Sequence, residues 1–421
     1  MTSITAQRRP AHDAAGLHRP AVKPSPLLFG TGALACALSN TFKMRVRQWG
    51  RLPADRGSTV LIANHQHDDE GEAIVRRTFF QGPLQPIATA SSRRMFETGF
   101  FATRIPWTAT FTRTFNPGGL FARLGFMPLE NQLSARPLIS LAEEIRASHG
   151  DVPLDQVVPQ ATLQQLGLTG RHIDELWTPA LFMAAQSTVK LSHLLEPYRR
   201  ELVVQLRETT ARDIAAVVER VREGATFYLT PEALYSVDGR MRPFRDGLLS
   251  ALLPIAQPWL CAIAFDPFRG RRLSMLYRVL RPSNPNDLAA SLASARPVTT
   301  SAILAAFLFE RRQPFTQEDA AAAVRARLIA LPETAFVDPE LLRAPEAVTA
   351  EALEFLVERA TVARDDGRYR LTDVRIDPRF PHVPDIVSFE RAMLEETIGA
   401  ARRVAAERLI ARAPAASLAS R

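Results

Sequence analysis

Five short apolar segments, Thr59–Ala63, Pro86–Thr89, Phe126–Leu129, Ala225–Leu229 and Trp259–Phe265, are separated by stretches of helical character, and this alternation limits the folds open to the chain. Unbroken apolar runs of four to seven residues suit strands covered on both faces, so the pattern predicts an α/β layer fold. Upstream, Lys43 opens a short alternating strand, and Pro53 and Gly57 mark a turn region before Thr59. The Thr59–Ala63 run then delivers Asn64 and His65 at its end, and a helix is expected from about Asp68 through Phe80.

Between Leu138 and Arg222 the sequence is helix-rich, with Asp151–Thr169 and an amphipathic Leu/Arg/Glu stretch from His193 to Arg222, and reads as an insertion on one side of the sheet. After Pro282 the composition changes. Asp287–Ala295, Thr299–Glu310, Gln317–Ala330 and Ala350–Ala360 are Ala-rich helical patterns, VARDDGRYRLTDV spells a hairpin around Asp-Asp-Gly, and a terminal helix is expected over about Ser388–Ala411. Helices followed by a hairpin resemble a winged helix. The expected organisation is a mobile tail over 1–26, one domain over 27–290 with the insertion at about 138–222, and a helical C-terminal domain over 291–421.

With 46% hydrophobic residues in 421, the chain can bury a large core. Cys36 and Cys261 stand far apart, which argues against a disulfide framework. Three of the 52 basic residues are lysines (Lys23, Lys43 and Lys190), leaving 49 arginines against 44 acids and a net charge of +8. Guanidinium groups bind phosphate and carboxylate in a bidentate fork, but GC-rich coding also favours Arg over Lys and accounts for more of the excess. Leu27–Leu38 falls short of the ~20 residues a membrane-crossing helix needs, and suits an interfacial segment or the first core helix better.

The densest chemistry lies in Asn64-His65-Gln66-His67-Asp68-Asp69-Glu70-Gly71-Glu72, where a strand hands over to a helix. An imidazole removes protons near neutral pH, and a carboxylate on its other nitrogen fixes the tautomer. On a continuous helix, residues five apart lie about 140° off a shared face, so His65 and Glu70 can meet only if His65 precedes the helix and Glu70 falls in its first turn. His67 reads equally as a site residue or as a polar cap for the helix.

An Asn-His, four residues and then a carboxylate after a strand resembles the glycerolipid acyltransferase superfamily of the 1-acylglycerol-3-phosphate type. Here Glu70 replaces the family's Asp, and His67 stands where Ser is frequent. TPEALYSVDGRMRPFRDGL, Thr230 to Leu248, is similar to the family's Pro-Glu-Gly-Thr block and its trailing segment, with Pro231, Glu232, Asp238, Gly239, Arg240, Pro243, Phe244 and Gly247 in place. Leu124–Asn131 resembles the segment that ends in a phosphate-binding Arg, and the likeness covers about residues 40 to 285.

The resemblance implies a mixed sheet flanked by helices and an acyl transfer from acyl-CoA or acyl carrier protein to a lipid-like hydroxyl or amine. His65 would be the base and Glu70 its orienting partner. Asn131, Pro231, Glu232, Arg240, Arg242 and Arg245 would be substrate-binding residues, and no metal or organic cofactor would be needed. The chain is expected in the cytoplasm, peripheral or monotopic on a membrane, in lipid metabolism; nucleic acid is not an expected partner. Ala233, Leu234, Tyr235 and Asn131 replace the family's phosphate cradle, so lysophosphatidic acid and glycerol 3-phosphate are expected to be poor acceptors.

His65-Gln66-His67-Asp68-Asp69 also spells the His-x-His-x-Asp start of a metallo-β-lactamase-type binuclear hydrolase, although the His that should follow the Asp is Glu70. A catalytically inactive acyltransferase homologue is the third reading. Asp238-Gly239-Arg240 reads first as a tight turn, and the Phe-rich stretch Phe96–Phe126 as core rather than acyl tunnel.

Overall fold

The computed structural model of the protein describes residues 24–53, 57–82, 84–129, 134–168, 171–311 and 313–418. The expected tail therefore lies almost entirely outside the described residues, as does Asn131. The chain divides into two compact units, one comprising Ala88–Arg220 with the chain up to Phe29, the other Gly30–Ile87 with Val221–Arg421.

The second unit carries five hydrogen-bonded strands in the order Met44–Trp49, Leu273–Leu280, Gln257–Asp266, Thr59–Ala63, Thr226–Leu229. Thr59–Ala63 runs parallel to both its neighbours, with Ala63 opposite Cys261 and Ile62 opposite Leu229. Gln257–Asp266 and Leu273–Leu280 are antiparallel, which makes the sheet mixed. Every residue of Thr59–Ala63 and Thr226–Leu229 is buried, as their unbroken apolar sequence requires of strands covered on both faces. The Leu273–Leu280 strand was not foreseen, because Ser274 and Arg278 interrupt its apolar pattern; Arg278 lies over the Phe336 ring at 4.3 Å.

No boundary falls near residue 290, contrary to the sequence expectation. Leu288–Ala295 and Thr300–Glu310 pack on the terminal helix Ile386–Leu418 and on the Gln257–Asp266 strand. Thr300 to Leu308 is buried on all sides, the pattern of a helix inside a large core rather than of one opening a separate domain. Two polar joints reinforce the union. Asp266 at the strand end accepts from the Ser301 N–H at 2.8 Å and from its hydroxyl, and Arg47 forks onto Asp338 at 2.6 and 2.7 Å.

Further along, Gln317–Ile329 and Pro345–Glu358 pack together beside the expected hairpin, Val362–Asp365 and Arg368–Leu371. Its turn residues Asp366 and Gly367 have φ of 45° and 73°, the left-handed pair that a two-residue hairpin turn needs. Phe315 adds an antiparallel bridge to Tyr369.

In the first unit, Ala88–Ser92 and Phe126–Leu129 are parallel. Its core joins Leu138, Leu141 and Ile145 to Leu154, Ile173, Leu176, Leu202 and Leu206. The expected insertion from 138 is thus part of a larger unit beginning at 88, and a buried ionic network shows why. Glu97 holds Arg136 at 2.8 Å and accepts from the Ser140 hydroxyl, and Arg136 also reaches Glu144 at 2.8 Å. An unpaired member of such a network would leave a costly buried charge, so the segments on either side of residue 138 are held together.

Candidate active site

Asn64 follows the last residue of the central parallel strand and closes a two-way bond with the next strand: its side-chain amide donates to the Ile263 carbonyl at 3.0 Å, and its oxygen accepts from the Ile263 N–H at 2.7 Å. This pins the point at which the chain leaves the sheet. His65 comes next, before the helix Glu70–Phe80, and Glu70 opens that helix. The condition for a His–carboxylate contact is therefore met.

His65 Nδ1 lies 2.5 Å from Glu70 Oε1. The other carboxylate oxygen accepts from the backbone N–H groups of Gln66 at 2.9 Å and His67 at 3.0 Å. Glu70 thus shapes the loop and orients the imidazole with one side chain, and the extra methylene relative to Asp lets the carboxylate reach back over three residues. Burial pulls the His65 pKa down, but the charge and hydrogen bond of Glu70, with the charges of Glu232 and Asp68, outweigh it and leave the pKa raised above 6.5. With Nδ1 turned to Glu70, Nε2 is the nitrogen left to take a proton. Among the described residues it has no hydrogen-bond partner, and the side chain keeps 21% of its surface exposed.

The Thr230–Leu248 segment is tied to this loop. Buried Glu232 accepts from the His65 N–H at 2.9 Å through one oxygen and from the Arg242 N–H at 2.7 Å through the other, and the Ser236 N–H donates to the His65 carbonyl at 3.3 Å. Burial lifts the Glu232 pKa to about 7 against the pull of those two N–H donors. Both oxygens are used on backbone, so Glu232 clamps the two loops together. Pro231 is likewise buried, its carbonyl accepting from the Arg245 N–H at 2.9 Å. Arg242 is half-buried and Arg245 exposed, while Arg240 is exposed and lies 3.4 Å from Glu395.

No protein-family model and no curated protein matches this chain. The site is therefore read from its own geometry. Ala233 has φ +59°, a left-handed conformation that an L-residue adopts at a cost of roughly 1–2 kcal/mol. The backbone takes the shape a glycine would favour there although the side chain is a methyl.

Several contacts around His65 could not be read from the sequence. The Tyr235 ring sits 4.2 Å from that of His65, and its hydroxyl donates to Asp68; the His382 ring lies 5.0 Å from the Tyr235 ring. Behind the loop, Gln66 donates to the Met393 sulfur at 3.1 Å, and the Met241 N–H points at the Glu396 carboxylate, its nearer oxygen 3.0 Å away. Gly239, at φ +85°, presses so closely on the terminal helix that an added Cβ would stand 1.9 Å from the Phe389 carbonyl oxygen. These contacts join residues more than a hundred positions apart, and no local pattern signals them.

His67 resolves in favour of a structural role. Its Nδ1 accepts from the Asp69 N–H at 3.1 Å, and Nε2 faces the Arg379 carbonyl at 3.0 Å. With both ring nitrogens engaged by backbone it has no lone pair to offer a metal in this arrangement. Among the described residues no group of three or more His, Cys, Asp or Glu side chains is placed to hold a metal ion.

Proposed function

We propose that this chain is an acyltransferase that moves a fatty acyl group from an acyl-CoA or acyl carrier protein thioester to a lipid-like hydroxyl or amine. The observation that carries the reading is the His65–Glu70 pair at the carboxyl end of the central parallel strand, with Nδ1 held and Nε2 left for a proton. His65 takes the acceptor's proton as its oxygen or nitrogen attacks the thioester carbonyl; the thiolate leaves, and Glu70 stabilises the imidazolium. The loop tying Thr230–Leu248 to His65 supports a glycerolipid-acyltransferase-like fold. The order of helices, Phe315 bridge and hairpin supports a winged-helix-like arrangement for the C-terminal part.

The rival metal hydrolase is disfavoured by His67, whose nitrogens serve the backbone. Among the described residues no helix is long and apolar enough to cross a membrane. The helix Pro26–Lys43 exposes Leu34, Leu38 and Phe42, which suits peripheral attachment to a lipid surface. Tyr235 against His65 gives the site an apolar wall where a phosphate cradle would need cations. Lysolipids of lower head-group charge, hydroxylated lipids or lipidated amines are the proposed acceptors.

Purified protein incubated with labelled acyl-CoA or acyl carrier protein and a lipid extract is expected to transfer label to a lipid. Competition at equal concentration is expected to place lysophosphatidic acid below less charged amphiphiles. A preference for lysophosphatidic acid that Arg242→Ala or Arg245→Ala abolishes would overturn the acceptor assignment.

A further inference from the structure

Thr98 to Leu129 contains seven aromatic residues and three arginines, with no Asp, Glu or Lys. Composition alone assigns such a stretch to a core, and part of it is core: Phe100 and Phe121 are buried, with their ring centroids 5.7 Å apart. The rest is not. Trp107 is 85% exposed and Phe111 82% exposed, and Ile105, Phe115 and Leu120 also face out. All belong to the first unit.

Trp107 and Phe111 are four residues apart on consecutive short helical turns, Pro106–Thr108 and Ala109–Thr112, and both rings stand out into solvent. Several polar groups around them are closed on local carbonyls. Thr108 Oγ1 donates to the Ile105 carbonyl at 2.7 Å, Thr112 Oγ1 to the Thr108 carbonyl at 3.0 Å, and the Arg113 guanidinium to the Thr110 carbonyl at 2.7 Å. The N–H groups of Ile105, Thr108 and Arg113 are closed on local carbonyls at 2.9 to 3.1 Å. Donors closed on local carbonyls in this way can enter a poorly hydrated medium without being stranded. Trp and Phe are the side chains that settle at a headgroup boundary, and a stretch whose sequence carries arginines and no acid complements anionic headgroups.

We propose that this aromatic lobe is the face by which the protein engages membrane, Trp107 and Phe111 entering the headgroup–acyl boundary of a bilayer containing anionic lipid. The assignment rests on the reading of an enzyme working at a lipid surface, and names the surface. It differs from attachment through the helix Pro26–Lys43, whose exposed Leu34, Leu38 and Phe42 are the competing face.

The test is flotation of the full-length protein with phosphatidylcholine vesicles, with and without phosphatidylglycerol, at low salt. Removing each ring is expected to weaken partitioning about tenfold, and the Trp107→Ser/Phe111→Ser double variant about a hundredfold, with Leu38→Ser/Phe42→Ser having less effect. Fluorescence of the wild type is expected to shift to the blue and be quenched by brominated lipid, a response lost in a Trp107→Phe variant that still binds. A double variant that partitions like the wild type would overturn the choice of face while leaving lipid attachment standing. Wild-type protein that floats with neither vesicle would overturn both. If it ignores vesicles and is a dimer that the double variant splits, the face belongs to a second copy.

Discussion

Glu70→Gln isolates the role of the carboxylate with little change in volume. Glu70 serves three donors, the His65 ring through one oxygen and the Gln66 and His67 N–H groups through the other. An amide can keep its oxygen toward the two backbone groups only by turning its NH2 to His65 Nδ1. The ring must then accept there and carry its proton on Nε2, the nitrogen that should receive the acceptor's proton. A wrong tautomer and a lost counter-charge together are expected to lower turnover by about 10²- to 10⁴-fold. The pH profile adds a second readout. His65 works as a base only when neutral, so wild-type kcat/KM is expected to rise with pH about a midpoint above 6.5. Without the Glu70 charge and hydrogen bond, the burial that depresses the pKa faces less opposition, and the midpoint should move to lower pH. Steady-state rates from pH 5 to 9, on protein checked by circular dichroism, measure both. A Glu70→Gln variant with a full plateau and an unmoved acid limb would refute the dyad.

Ala233→Gly relieves a methyl at φ +59° and should raise stability by about 0.5–1 kcal/mol, read as a higher urea midpoint with an unchanged slope. An unchanged or lower midpoint would mean that the loop is not held in that conformation. Glu232→Gln turns an amide N–H toward either the His65 or the Arg242 N–H and is expected to cost about 1–3 kcal/mol, whereas a clamp of no consequence would leave the midpoint in place. Chelation is expected to leave turnover intact and elemental analysis to find no stoichiometric zinc. Two bound metal ions lost in His67→Ala would return the hydrolase to favour.

What the sequence revealed was mostly local. Thr59–Ala63 and Phe126–Leu129 are strands over the residues their apolar runs mark, and the Asp-Asp-Gly turn sits where φ is positive. The His65–Glu70 geometry followed from asking where a helix must begin for residues five apart to touch. Composition misled where the question was about sidedness or distance. The change after Pro282 marks a run of helices, yet those helices share a core with the sheet, a union made by Ser301 on Asp266 and Arg47 on Asp338. The Phe-rich stretch holds core rings beside exposed ones, because apolar content does not say which side of a short turn meets another layer. Tyr235, His382 and Met393 reach the His65 loop from far along the chain, and only tertiary contacts bring them there.

The most direct measurement follows label from a radioactive acyl-CoA, or from acyl carrier protein where CoA does not serve, into extracted lipid, with wild-type protein and a folded His65→Ala variant side by side. A His base with Nε2 free for a proton should give a labelled lipid product from the wild type and at least about a hundredfold less from the variant. Equal labelling by the two proteins, or none from the wild type with any thioester donor, would contradict it.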